Sequence, residues 1–418
     1  MFGSGITAQT IDMGFSRETL ESYLVSTGFW GNPELRDRHG YQLSPAAYVL
    51  SGEQASELER LAKATHSAVS GLNQQLVAYA ARSPQLTNGE AGLLKRAKIA
   101  TRGLLSPYDG VNEVPPVLKV DLVQDVAGHF RIVEVDSYNP RGFGYATLLE
   151  RSLPELWRTP RLPGIERLAT MIREHSSQVD TWYLLVSEFE RYYQTSARIF
   201  VRALNDFGVT AKLVREQELY QNPTHPLFTD PSVGVLVIPD TLDQYPQVRQ
   251  ALVKQYQNGT LATFYPPLSY LGSKGFLPEL REQPGMDEFL PKTTLVGKKY
   301  SGWKDRVDSQ KPLVLKATVS SGMKKVLFSD LDTAGFCRTL EEASNLPGSS
   351  WILQEQVEQE PIPILAFDDD GVRVENQYFL RITAYVSAQG LVDAEVTGRP
   401  DRKVHGAPDC IQIPVLVG

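Results

Sequence analysis

Cysteine is nearly absent. The 418 residues contain two, Cys337 and Cys410, and neither sits in a CxxC pair or a Cys/His cluster. That excludes a disulfide framework and a zinc site of the usual spacing, and it suits a reducing compartment. No apolar stretch reaches the roughly 18 residues that a membrane-spanning helix needs. The leading Met1-Phe-Gly-Ser-Gly-Ile-Thr7 has no charged segment running into an apolar one, so we expect a cytoplasmic protein without a secretory signal. No basic block stands out against a formal net charge of −7, which argues against a nucleic-acid partner. The GxGxxG turn, the GxxxxGK[ST] loop, the GxSxG elbow, the HExxH helix and a Cys–His nucleophile are all missing. Each absence removes a dinucleotide, P-loop or hydrolase reading. No repeat or low-complexity tract is present.

What remains is ordinary globular material, 42% hydrophobic and 22% charged, in a chain too long for one core. The first hundred residues read as helical. Ser51-Gly-Glu-Gln54 fits a capping box, and Leu58, Leu61, Thr65, Val69, Leu72, Leu76 and Tyr79 follow at three- and four-residue steps. Thr87-Asn-Gly-Glu90 reads as a polar turn, with a second helix over Leu93 to Leu105. Residues 151–179 read as mostly helical. Trp182 to Ser187, Val209 to Val214 and Val233 to Ile238 read as buried strands, with an amphipathic helix from Tyr193 to Phe207 between the first two. That order predicts a small α/β unit with a partly parallel sheet.

The richest stretch lies between Pro116 and Pro140. Pro116-Val-Leu-Lys-Val-Asp121 reads as a strand ending in a carboxylate, Gly128 as a turn, and Phe130-Arg-Ile-Val-Glu134-Val-Asp136 as the returning strand. Alternation puts Glu134 and Asp136 on one face, and antiparallel pairing brings Asp121 beside them. Crowded carboxylates repel unless a cation neutralises them, and hard oxygen ligands suit Mg²⁺. A plain hairpin with a solvated acidic face fits the same spacing.

Cations concentrate later in the chain. Lys274 sits in Gly272-Ser-Lys-Gly-Phe-Leu-Pro278, and Lys316 ends the apolar strand Pro312-Leu-Val-Leu-Lys316. A small flexible loop follows, containing Ser320, Ser321, Gly322 and Lys324. Such a loop can hold phosphates through point charge and backbone N–H groups, although a hairpin whose lysines face water is the commoner source of the pattern. Ser350 to Gln356 reads as a strand with Gln354, Glu355 and Gln356 at its exit, where an adenine can find hydrogen-bonding partners or a surface loop can begin. Gln377 to Val386 and Leu391 to Arg399 read as paired strands carrying Arg381 and Arg399. Facing a nucleotide, these arginines can stabilise a phosphoryl group in transfer; otherwise they are ion-paired or solvated.

Taken in order, these motifs resemble the circularly permuted ATP-grasp family, which includes glutathionylspermidine synthetase-like proteins. The family's Arg-x-Asp, strand break, Glu-x-Asn pattern is met here by Lys119-Val-Asp121 and Glu134-Val-Asp136. Lysine replaces arginine, and Asp136 replaces asparagine. Lys274 and Lys316 look like the family's two ATP lysines. Lys316-Ala and Ser320-Ser321-Gly322 depart from its Lys-Pro and Gly-Arg-x-Gly loop. Gln354-Glu355 is similar to its hinge pair, and Arg381 and Thr397-Gly398-Arg399 to its late arginine strands.

The resemblance implies an α+β and α/β chain, ATP-grasp-like, with a helical region over 1–112 and a metal-binding part over 113–178. A swivelling α/β insert would cover 179–265 and a lysine-bearing nucleotide lobe 266–418. It implies an ATP-dependent carboxylate–amine ligase that forms an amide or peptide bond through an acyl phosphate. The implied partners are a small-molecule carboxylate and amine, with Mg²⁺–ATP held between lobes. Asp121, Glu134 and Asp136 would hold Mg²⁺. Lys274, Lys316, Ser320, Ser321, Gly322, Lys324, Gln354, Glu355 and Gln356 would hold the nucleotide. Arg381 and Arg399 would be catalytic. Asn139 and Arg141 would meet substrate, with Asn139 also placed to help the metal. An ATP-dependent phosphotransferase and a non-catalytic nucleotide-binding protein remain as alternatives.

Overall fold

The structure, a computed structural model, describes residues 9–26, 42–137, 142–143, 146–147, 149, 162–187, 194–242, 244–300, 302–308, 311–320, 325–346, 348, 350–368, 370–405 and 409–418. First come β1 (Gln9–Asp12), α1 (Arg17–Ser26), β2 (Gln42–Leu43) and β3 (Ala46–Leu50). Two helices follow, α2 (Gly52–Ala81) and α3 (Asn88–Ala100), then the hairpin β4 (Val117–Gln124) and β5 (Phe130–Asp136). A layered segment contains α4 (Gly164–His175), β6 (Thr181–Val186), α5 (Gln194–Asp206), β7 (Ala211–Arg215), β8 (Val233–Val237), α6 (Pro246–Gln257) and β9 (Ala262–Tyr265). Then come β10 (Thr293–Val296), β11 (Leu313–Ala317), β12 (Val326–Phe328), β13 (Trp351–Glu355) and β14 (Ile362–Phe367). The last strands are β15 (Arg373–Ser387), β16 (Gly390–Arg399), β17 (Ile411–Ile413) and β18 (Val415–Val417).

The expectation of helix throughout the first hundred residues needs correction, because β1 and β3 join β18 in a three-stranded sheet. All five residues of β3 are buried, so no alternation of polar and apolar residues advertises a strand. The helical reading does hold for α2. Its predicted capping box forms, with the Gln54 backbone N–H donating to Ser51 Oγ at 3.2 Å and the Ser51 N–H to Gln54 Oε1 at 2.9 Å. Thr87 to Glu90 is not a free turn but a second capping box, which starts α3 earlier than Leu93. Of the stretch 151–179, residues 151–161 lie outside the described residues, and the rest contains α4.

Four sheets carry the fold among the described residues. The largest has seven strands, in the order β2-β17-β16-β15-β4-β5, with β14 also paired to β15. The acidic hairpin and the last strands therefore share one sheet. Leu118, Val120, Leu122, Ile382, Ala384, Ala394 and Val396 line one face and pack on α2 through Leu58, Leu61, Val69 and Leu72. Each fully buried leucine there stabilises by about 2 kcal/mol. The residues between them in sequence, including Lys119, Asp121, Arg381, Thr383 and Glu395, belong to the opposite face.

The layer from β6 to β9 is a wholly parallel sheet, in the order β7-β6-β8-β9. Sequence reading found three of its strands and missed β9, whose four residues are too short for a pattern. The third main sheet, β10-β13-β11-β12, is antiparallel and carries Lys316.

Gly234 sits in β8 between Trp182 and Ala262, where a Cβ would lie 2.8 Å from the indole and 3.2 Å from the Ala262 carbonyl. Gly234→Ala should cost about 1–3 kcal/mol by overpacking. Gly92→Ala, where a Cβ meets nothing within 4 Å inside α3, should gain about 0.5–1 kcal/mol. Urea midpoints check both, and equal midpoints for Gly234→Ala and wild type would refute this packing account.

Candidate functional site

The β4–β5 hairpin places its carboxylates by means of one irregularity. Asp121 pairs with Glu134 but Leu122 pairs with Ile132, so Val133 is an extra residue in β5. Phe130 and Ile132 point into the apolar core, and so does Val135. An unbroken period of two would have sent Glu134 and Asp136 inward with Phe130. The bulge switches parity at Val133 and turns both carboxylates to the polar face. It also frees the Val133 carbonyl for another use.

That carbonyl accepts from Lys316 Nζ at 3.0 Å, and the same ammonium donates to Gln354 Oε1 at 2.6 Å. Lys274, in a short 3₁₀ turn just after β9, donates to Glu134 Oε1 at 2.7 Å and to the Ser320 carbonyl at 2.8 Å. Both lysines are buried, at 4% and 7% exposure. They come from 140 and 183 residues away in sequence to meet the acidic hairpin. On the other side of Asp121, Thr383 Oγ1 donates to Oδ1 at 2.8 Å and Arg381 Nη1 stands 3.8 Å from Oδ2. The ladder row Glu134–Asp121–Thr383–Glu395 thus crosses four strands of the large sheet.

Three charge states follow. Burial alone would raise the Asp121 carboxyl, but Lys119, Arg381, the Thr383 hydroxyl and Lys274 outweigh it and hold the group below its usual range. Burial lowers Lys316 to about 8, with Lys274 adding to the fall while Glu134 and Asp121 oppose it. Glu395 is raised to about 7 by burial, with Lys119 and Arg381 pulling the other way and Asp121 pushing up.

The remaining sequence candidates fall as follows. Asp136 pairs with Lys119 in the ladder. Gln354 holds Lys316 and donates to Thr293 Oγ1 at 3.0 Å, so its amide steadies the lysine. The backbone N–H groups of Glu355 and Gln356 already donate to Lys292 and Pro312 carbonyls, and Gln356 Nε2 donates to Asp330. Arg399 Nε donates to Asp409 Oδ1 at 2.8 Å and Nη1 to the Lys403 carbonyl, beyond Arg381 on the same face. Ser320 contributes its carbonyl to Lys274. Asn139, Arg141, Ser321, Gly322 and Lys324 lie outside the described residues.

Among the described residues no three His, Cys, Asp or Glu side chains gather closely enough to hold a metal ion. Asp121 and Glu134 nonetheless fit Mg²⁺, which takes one or two carboxylates and fills its octahedron with phosphate oxygens and water. The reading of single motifs passed over Thr383, Tyr385 and Glu395. A signal was there: Asp393, Glu395 and Thr397 alternate with apolar residues along β16, marking a polar sheet face.

Lys316 gives a pH test. A lysine depressed in the folded chain holds its proton more tightly when unfolded, so the fold gains stability as pH rises from about 8 towards the ordinary lysine value. Relative to Lys316→Met, the wild type should gain on the order of 1.4 kcal/mol per pH unit in that window. Urea titrations at stepped pH measure it, and parallel curves for the two proteins refute it.

No protein-family model matches the sequence, and no curated protein sequence matches it. Solved structures do match. A protein assigned as a gamma-glutamylcysteine synthetase from Methylobacillus flagellatus covers 84% of this chain and 88% of its own, at 13% identity and a TM-score of 0.40, too low to carry an argument. A glutathione synthetase-like effector from Globodera pallida, solved in its apo form, aligns over 97% of this chain and 98% of its own, at 13% identity and a TM-score of 0.54. At that identity the likeness concerns the fold, and the chain shares its mixed α/β architecture with a glutathione synthetase-like protein.

Proposed function

We propose that this protein is an ATP-dependent carboxylate–amine ligase with a circularly permuted ATP-grasp arrangement, forming an amide or peptide bond through an acyl phosphate. The observation that carries the reading is the meeting of two buried lysines from the later half of the chain with an acidic hairpin from the earlier half. Such a junction suits a triphosphate, which needs point charges on one side and a cation-bridging carboxylate on the other. The fold likeness to a glutathione synthetase-like protein supports it.

In this reading Lys274 and Lys316 hold the α- and β-phosphates, exchanging Glu134 and the Val133 and Gln354 oxygens for nucleotide oxygens. Asp121 and Glu134 hold Mg²⁺, which supplies charge neutralisation at the phosphates. Arg381, anchored near Asp121, steadies the phosphoryl group as the substrate carboxylate oxygen attacks it. The amine then attacks the acyl carbon and phosphate leaves. No protein nucleophile takes part, so positioning and charge do the work. Ser320, whose carbonyl accepts from Lys274, would stand beside the phosphates.

A nucleotide-binding protein without catalysis is the second reading. It is favoured by the Lys274–Glu134 pair, in which each group already neutralises the other. The two readings part in one experiment. ATP with Mg²⁺ should raise the melting midpoint under both, but phosphate release from pairs of amino acids, screened with product mass detection, occurs only for a ligase. ADP without an amine requirement would instead mark a phosphotransferase. Asp121→Asn should leave folding intact and lower product formation at least about 100-fold. Unchanged turnover in that variant would remove Asp121 from the site.

A further inference from the structure

Beyond Thr383 on the ladder row lies a carboxylate that the nucleotide chemistry does not use. Glu395, on β16, is 6% exposed, and its Oε2 has no hydrogen-bond partner among the described residues. Tyr385, directly on the neighbouring strand, donates its hydroxyl to the other side of this carboxyl. Gly142 closes over the same pair: its φ is +96°, and a Cβ there would lie 2.8 Å from the Tyr385 hydroxyl and 3.1 Å from Glu395 Oε1. A second buried polar group without a partner among the described residues, the Tyr265 hydroxyl, ends the parallel strand β9, where burial and the Asp136 carboxylate keep it protonated. Glu395 stands two strands from Asp121, about 10 Å away at the usual strand spacing. That offset suits a second substrate lying past the transferred phosphoryl group.

We propose that Glu395 is the acceptor-side base: it binds the ammonium of the incoming amine through Oε2 and removes one proton before attack. The inference rests on the ligase reading and deepens it. The ammonium R–NH₃⁺ passes one proton to Glu395, leaving R–NH₂ and a neutral carboxylic acid. The amine lone pair forms the C–N bond at the acyl phosphate carbon, the C–O bond to phosphate breaks, and the second nitrogen proton leaves with the phosphate as HPO₄²⁻. Burial lifts Glu395 to about 7, which suits a proton acceptor at neutral pH. Charges facing it come from Lys119 and Asp121 on β4 and from Arg381 on β15. Tyr385 is kept neutral by burial and by Glu395, Asp393 and Asp121. From α4, Arg167 is spent on the Leu391 carbonyl.

Hydroxylamine, largely unprotonated at neutral pH, is the discriminating probe, because it attacks an acyl phosphate without needing a base. Wild-type full-length protein and Glu395→Gln are compared with the amino-acid pair that releases most phosphate in the screen, and with hydroxylamine replacing the amine. Glu395→Gln should lose about 100-fold in amide formation at neutral pH and keep hydroxamate formation. Its amide rate should then climb with pH as the free amine fraction rises, which a merely structural role would not produce. Equal losses in both products, or no loss in either, overturn the proposal while leaving the ligase reading standing. If wild type yields neither amide nor hydroxamate with any pair, the ligase reading fails and this inference with it. Should Glu395→Gln not fold, Glu395→Asp replaces it, with slower amide formation and unchanged hydroxamate as the supporting result and parallel losses as the refuting one.

Discussion

Two ammonium groups buried against the acidic hairpin of the large sheet are the constraint on which the site depends. A lysine taken out of water is costly unless its protons find acceptors, and here every acceptor is supplied by another part of the chain. Lys274 takes Glu134 and the Ser320 carbonyl, while Lys316 takes Val133 and Gln354. Lys316 thus takes one acceptor from its own sheet, Gln354 on β13, and one from the large sheet, the Val133 carbonyl. Strand β11 and the 3₁₀ turn at Lys274 bring cations, the seven-stranded sheet brings carboxylates and a freed carbonyl, and the apolar faces of α2 and the large sheet hold the hairpin in register.

The large sheet works because its two faces are chemically opposite. One face is continuous with the core beneath α2, so its strands cannot slip by a residue without burying charge. The other face orders its polar groups in rows: Glu134, Asp121, Thr383 and Glu395 in one, with Asp136, Lys119, Tyr385 and Asp393 in the next. The first row begins among the lysines and ends among buried acids. The two ends of that row stand about 15 Å apart at ordinary strand spacing.

Much of this was legible in the residues, though unevenly. The capping box at Ser51, the stripe on α2 and the turn at Gly128 are local signals with fixed spacing, and the chain obeys them. So too is the hairpin around Glu134. The register that brings Lys274 and Lys316 to it is not local, because it depends on pairings more than a hundred residues apart. β3 and β9 escaped because fully buried or very short strands show no alternation. Glu395 escaped for a different reason. Its strand was recognised, but attention to Arg399 at the strand's end hid the alternating acids within it, whose importance only the neighbouring strands reveal.

The supernumerary residue in β5 has a consequence for how this hairpin can vary. Because Val133 reverses which side of the strand each later residue occupies, the chain must keep one residue between Ile132 and Glu134. Losing a single residue there would swing two anions beneath α2 and withdraw the carbonyl that caps Lys316, a double fault that no side-chain replacement elsewhere in the strand can mend. Substitution at Val133 is open; insertion or deletion beside it is closed.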